Sequence, residues 1–563
     1  MMAARGLPGG FGALVVASLM LVSLFVVFPL ATAVFRTLGE APSGMAAIAV
    51  SIESGTLLRV LRNTALVVFG GAALATVVGA VLAFINERTD GSLGVSGELL
   101  PLGPMIVPPI AGVIGWAILL DPRVGLVNGV LKDLLGRVGI ALDNGPLDIY
   151  TPTGLIFVTG LYLVPYVYLI VAAALRGLDA ALDEASRVHG ATPMRTMLRV
   201  TLPAVRPAIA AGALTAVIGG IGLFSVPIVL GTAARMDVIA VHIYRLFEQF
   251  PPQTATGLIL SAGMVAVVQS LLLAQRWLVP AEGHAVIGGR GGRGGLIRLG
   301  RWRRPAQALA ISYLLATSVL PVLGLAVVSL QPFWTPIIDS AQFTLANYTF
   351  VLFENGPTSR AFITSLSLGA ATATAAVLIS ALLLLGSRQG PSGVARAADI
   401  VLTLPATLPH TVIGVAFLIT FTPAPFKLYG TTTLLFLAYL AMALPFAARA
   451  ATAAASGIGA DLSEASRISG AGRARTFLRI LLPLSLPGLM AGWIIVFIHT
   501  AGEVTASTLL AGARNPVIGR VMTELWVFGS FPQLAAMSIV VTAVTSTGVA
   551  MMLYLTRRAT LRG

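Results

Sequence analysis

No cysteine occurs among the 563 residues, which removes disulfides, zinc–cysteine sites and iron–sulfur clusters from consideration. Charge is scarce as well: 10% of residues are Asp, Glu, Lys or Arg, against 56% hydrophobic, and the mean hydropathy is +0.91. A soluble domain needs a polar outer face, so this balance calls for lipid as the solvent. Lysine is nearly missing, with Lys132 and Lys427 the only two, so the net charge of +14 rests on arginine. A basic chain can bind nucleic acid, but these arginines follow the alternation of apolar segments instead of forming one basic face. Histidine is sparse too. His189, His242, His284, His410 and His499 are scattered without metal-ligand spacing, so no metal and no resident cofactor is expected. Glycine (60) and proline (33) are plentiful, as suits transmembrane helices.

What is present is a series of apolar segments, each long enough to cross a bilayer at about 20 residues. They fall near 11–35, 63–86, 96–120, 153–175, 207–230 and 255–279, then near 306–330, 361–386, 396–420, 431–453, 486–510 and 533–556. The expectation is an all-α polytopic membrane protein of about 12 spans, the third and ninth, rich in Pro and Gly, being the least like plain helices. The first segment is read as a retained helix, too long for a cleaved signal. Most Arg and Lys fall in the segments that are inner if the N-terminus is inside. The densest cluster is Arg290, Arg293, Arg298, Arg301, Arg303 and Arg304, and Arg557, Arg558 and Arg562 lie on the same side. Both termini and the 280–305 linker are therefore expected in the cytoplasm of a bacterial inner-membrane protein. The linker's Gly/Arg run also resembles RNA-binding segments. In a chain of many spans it reads as a tether whose arginines meet anionic lipid headgroups.

The chain repeats itself. The segment from Leu182, LDEASRVHGATPMRTMLRVTLPAVRP, recurs from Leu462 as LSEASRISGAGRARTFLRILLPLSLP, at a constant offset of 280. Two homologous six-helix halves follow, 1–279 and 306–563. Nearer the start of each half the offset is larger: Val113-Ile114-Gly115 matches Val412-Ile413-Gly414 at 299. The first half's surplus falls in 121–150, where Val127, Val130, Leu131, Leu134 and Leu135 predict an amphipathic helix on the outer surface. Each repeated segment lies in an inner loop between the fourth and fifth spans of its half. A central glycine permits a tight turn and close approach, and the prolines set the angle of re-entry. Two matched inner elements imply two matched inner partners.

These segments resemble the Glu-Ala-Ala, three residues, Gly, nine residues, Ile-x-Leu-Pro pattern of binding-protein-dependent ABC import permeases. Glu184, Ala185, Gly190, Val200, Leu202 and Pro203 fit it in one half, and Glu464, Ala465, Gly470, Ile480, Leu482 and Pro483 in the other. Ser186, Ser466 and Val200 are mild departures. The resemblance covers nearly the whole chain and implies a fused, two-half permease with the type I importer fold. It implies that Glu184, Ala185, Arg187, Gly190, Leu202 and Pro203, with Glu464, Ala465, Arg467, Gly470, Leu482 and Pro483, form coupling helices. Each helix would seat one copy of a cytoplasmic ABC ATPase, and an extracytoplasmic solute-binding protein would deliver the cargo. The chain carries no Gly-x-x-x-x-Gly-Lys-Ser/Thr phosphate loop, so ATP hydrolysis is assigned elsewhere. The alternatives are a twelve-helix secondary transporter driven by an ion gradient, which leaves the matched loops unexplained, and a membrane-embedded enzyme, for which carboxylates and histidines are too few.

Inside the eleventh segment, His499 and Glu503 stand four apart and are expected on one helix face, with Thr500 and Ser507. An ionisable residue at membrane depth marks a translocation pathway unless it serves as an interhelical hydrogen bond. His499, Glu503 and Ser507 are the candidate pathway residues. Gly502-Glu503-Val504-Thr505-Ala506-Ser507 resembles the matching stretch of permeases for ferric iron and, less closely, thiamine and aminoethylphosphonate, implying ferric iron or another small solute as cargo. His410 reads as a residue bonding nearby backbone.

Overall fold

The computed structural model describes residues 10–94, 103–104, 107–278, 296–388, 391–456 and 458–560. Among them every regular element is helical, and one isolated bridge joins Thr89 to Ile297. Ten helices are long and apolar enough to cross a membrane. In the first half they are α1 (Gly10–Glu53), α2 (Thr56–Arg88), α4 (Pro152–Gly177), α5 (Met194–Gly222) and α6 (Thr254–Trp277), with the short apolar α3 (Pro109–Leu120) between α2 and α4. In the second half they are α7 (Gly300–Leu330), α8 (Gly356–Leu385), α11 (Thr432–Ser456), α12 (Arg473–Ala501) and α13 (Phe531–Met552). The pair α9 (Ser392–Thr407) and α10 (His410–Phe421) is bent by 102° and makes an eleventh span if taken as one.

The third and ninth spans, expected to be the least like plain helices, are indeed the ones that depart from them. Of the third, only its outer limb α3 is a described helix, and the ninth is broken. The break follows from Pro409: a residue before proline is pushed out of the helical region, and Leu408 is extended at φ −118°, ψ 137°. Pro108 opens α3 in the same way, at φ −53°, ψ 132°. The predicted outer amphipathic helix is present at Leu126–Arg137. Most of the 280–305 linker, residues 280–295, lies outside the described residues.

Each half builds the same bundle: α2, α4 and α5 pack together, as do α8, α11 and α12. The outer helices then cross over. α1 packs on its own half's α6 and on the other half's α10, while α7 packs on α13 and on the first half's α3. The clasp is chemical as well as apolar. Phe25 meets Phe417 edge-on at 5.9 Å, and Thr420 donates to the Pro29 carbonyl at 3.3 Å. Gln269 of α6 donates to the Thr407 carbonyl at 3.1 Å, capping the break before α10. Broken backbone at membrane depth survives only where protein or a water-filled cavity surrounds it, and here the break at 408–410 sits beside the first half's α1 and α6. Meanwhile Leu21, Leu24, Phe35 and Leu38 of α1 stay exposed, an outer face suited to lipid.

Candidate functional site

The two repeated loops fold alike. Helices Ala180–Val188 and Ala460–Ile468 are each followed by a turn at Gly190 or Gly470, with φ of +75° and +79°. A Cβ is strained in that region, so glycine is set there by backbone geometry. The space around both is open. Ser186 and Thr196 share a hydrogen bond at 2.8 Å, and Ser466 and Thr476 the same bond at 2.9 Å. The serines that depart from the Ala-Ala pattern thus tie each loop's two limbs together.

Beyond the turn, each chain passes through one π-helical turn, Met197–Thr201 or Phe477–Leu481. Pro203 and Pro483 lack the N–H that a regular ladder needs, and the wider turn absorbs the gap.

Glu184, Ala185 and Gly190 are exposed, as are Glu464, Ala465, Arg467 and Gly470. Leu202 is exposed and Leu482 half-buried; for Pro203 and Pro483 the order is reversed. The Arg187 side chain lies outside the described residues. Motif matching missed the apolar tips: Val188 is 85% exposed and Ile468 87%, with Leu182 and Leu462 both 47%. Paired exposed aliphatics at one offset were a signal available in the sequence. Protruding apolar tips on otherwise polar loops are what a protein partner's groove buries.

The second cluster gathers at the breaks of the second half. α12 ends at Ala501, so the eleventh segment is not one helix and His499 and Glu503 do not share a face of it. Glu503 Oε1 accepts from the Ala506 amide at 2.9 Å, a local bond that competes with helix continuation and opens the short Thr505–Leu510 helix. Gly519 presses on this turn: a Cβ there would stand 2.3 Å from the Glu503 carbonyl oxygen, so only glycine admits the approach.

Ser507, expected to line the pathway with His499 and Glu503, is fully buried. It donates to the Glu503 carbonyl at 2.5 Å. Its single proton being used there, the Tyr439 hydroxyl donates to Ser507 Oγ at 2.6 Å. The chain Tyr439–Ser507–Glu503 therefore fixes the backbone that carries the carboxylate.

His410 is corrected as well. As the first residue of α10, it places Nδ1 3.4 Å from Glu503 Oε2, and its ring stands edge-on to His499 at 5.7 Å. Phe446 holds the other side of His499, with ring centroids 4.6 Å apart. The fold thus assembles three potential ligand groups that spacing along the chain did not reveal: one ligand atom from each of His410, His499 and Glu503 lies within 4.8 Å of the others. Glu503 is 9% exposed, and Tyr439, His499, Thr500 and Glu503 line a cavity of about 10 Å³. A larger space of about 390 Å³ beside Phe69, Ala72, Thr76 and Val217 carries no ionisable group.

Crossed helical halves, paired repeated loops and a polar cluster beside the broken span fit a polytopic transport permease. The family model for the binding-protein-dependent transport system inner membrane component matches residues 75–282 and again 378–560. The chain belongs to that family, as a fused permease subunit of an ABC importer carrying two copies of the unit, and the gradient-driven alternative is set aside.

It is 24% identical over 511 residues to the ferric transport system permease protein FbpB of Actinobacillus pleuropneumoniae, covering 89% of this chain and 71% of that one. It is also 24% identical to the putative ferric transport system permease protein FbpB 1 of Haemophilus influenzae, over 82% of this chain and 71% of that one. The probable ABC transporter permease protein y4fN of Sinorhizobium fredii is 28% identical over 71% of each chain. Among solved structures, a bacterial ABC transporter involved in the import of the acidic polysaccharide alginate matches at TM-score 0.38 and 18% identity, over 46% of this chain and 96% of that one.

Proposed function

We propose that this chain is the whole translocation unit of a ferric-iron importer, its halves 1–279 and 306–563 joined by a cytoplasmic 280–305 linker. Each half seats one copy of a cytoplasmic ABC ATPase on its coupling loop, and ATP is hydrolysed there. An extracytoplasmic binding protein delivers the cargo. The observation that carries the reading is the doubled loop, with the same left-handed glycine and the same Ser–Thr bond in both copies. Glu503 lines the pathway: a carboxylate costs at least ~2.5 kcal/mol at membrane depth, and it is retained where a cation passes. Ferric cargo is supported by the printed names of two relatives that span most of the chain.

Native mass spectrometry of the detergent-extracted complex should give one chain to two ATPase subunits. Proteoliposomes holding that complex and its binding protein should take up ferric iron only with ATP. Two chains sharing one ATPase, or uptake driven by an ion gradient alone, overturns the reading. Orientation follows the arginine bias. A single thiol at Gly292→Cys, in a chain without cysteine, should escape impermeant reagents in intact cells; its labelling reverses the topology.

A further inference from the structure

We infer that His410, His499 and Glu503 form a binding site for a single first-row transition-metal cation within the permease itself. The inference rests on the pathway reading of Glu503 and names what passes it. Three observations converge.

First, the donor set is two imidazoles and one carboxylate, which suits first-row transition metals and is poorly matched to Ca²⁺ or Mg²⁺, which take oxygen. Second, the spacing fits. The 3.4 Å between His410 Nδ1 and Glu503 Oε2 is close to the edge of a tetrahedron with metal–ligand bonds near 2.0–2.1 Å, about 3.3 Å. The longest separation in the set is within 4.8 Å, so His499 closes the triad by a small swing of its exposed ring. Third, the groups are free to bind. His499 makes ring contacts with His410 and Phe446, and no hydrogen bond to either of its nitrogens is found among the described residues. Glu503 pairs with no Lys or Arg there, only with His410.

The cavity decides between a bare ion and a larger solute. About 10 Å³ lined by Tyr439, His499, Thr500 and Glu503, with His410 adjoining through Glu503, is roughly the room of one water molecule and suits a bare ion better than a chelate or polyamine. The Tyr439–Ser507 bond and the Ala506 amide hold the carboxylate's backbone and one of its oxygens, leaving Oε2 toward the histidines. An ion here has left its binding protein's ligands and rests on three from the permease before moving on.

The test titrates Co²⁺ into the full chain in lipid nanodiscs, without binding protein or ATP, and reads the visible d–d absorption. One equivalent should give the intense bands of a low-coordinate nitrogen/oxygen site, undiminished by excess Mg²⁺ or Ca²⁺. His499→Ala and Glu503→Gln, each keeping the fold by near-UV circular dichroism, should weaken binding more than about tenfold. His242→Ala should not. Absence of the bands, or bands unchanged in both ligand variants, overturns the site. Cobalt binding without ferric uptake by the complex leaves the site standing and fails the cargo assignment. Ferric uptake with no cobalt site fails the site alone.

Discussion

The two halves agree in one place and diverge in another. At the inner loops they agree in detail: turn glycine, Ser–Thr bond, π turn and exposed aliphatic tip recur at the same offset. At the broken spans they part. At the offset of 299 His410 faces Ala111, and at the offset of 280 His499, Glu503 and Ser507 face Gly219, Leu223 and Pro227. On the proposed reading the loops serve two equivalent partners, so both copies need the same surface. A single small ion passing between the halves needs one set of ligands, and a second carboxylate would add a desolvation cost with nothing to offset it. On that reading, duplication is retained where the partner is doubled and lost where the cargo is single.

That contrast can be broken at either end. The largest effect is expected from Gly190→Asp combined with Gly470→Asp, which forces side chains into the left-handed region at about 1–2 kcal/mol each and sets a charge among the docking tips. ATP-driven uptake should vanish while the chain still reaches the membrane, and each single variant should lose a similar share. Full uptake by the double variant removes the loops from coupling; strongly unequal singles break the equivalence of the halves.

Next, Glu503→Gln should lower uptake on the order of tenfold to a hundredfold with ATPase assembly intact, as measured in proteoliposomes. Glu503→Leu, which copies the first half's Leu223, should do at least as much. Normal transport by Glu503→Leu would make the asymmetry structural.

The smallest effect belongs to Ser507→Ala. It removes two buried hydrogen bonds, to the Glu503 carbonyl and from the Tyr439 hydroxyl, about 1–3 kcal/mol of stability, and should lower the thermal midpoint while uptake changes within a few-fold. A loss equal to that of Glu503→Gln would place Ser507 on the pathway after all.

The inner loops were legible because their signal is local. A repeat, a glycine and a proline at fixed spacing specify turn and re-entry without reference to the rest of the chain. Even there, Val188 and Ile468 lie outside the motif, whose spacing marks only its charged, small and proline positions. The polar cluster was half legible: Glu503 and His499 stood out as ionisable groups in an apolar run, but their relation was drawn on a continuous helix. The helix stops at Ala501, where the Glu503 carboxylate bonds the Ala506 amide, and periodicity carries no information across such a stop.

Composition alone determined that this protein lives in lipid, and the repeat alone determined that it has two halves with two matched loops, because burial preference and local backbone restriction act on short stretches of chain. Tertiary structure decided where the ninth span breaks, how the first half's α1 and α6 clasp it, and that His410 meets a carboxylate far along the chain. Those outcomes depend on packing between remote helices. A proline permits the break at 408–410, but only the surrounding helices bring the two limbs to rest beside Glu503.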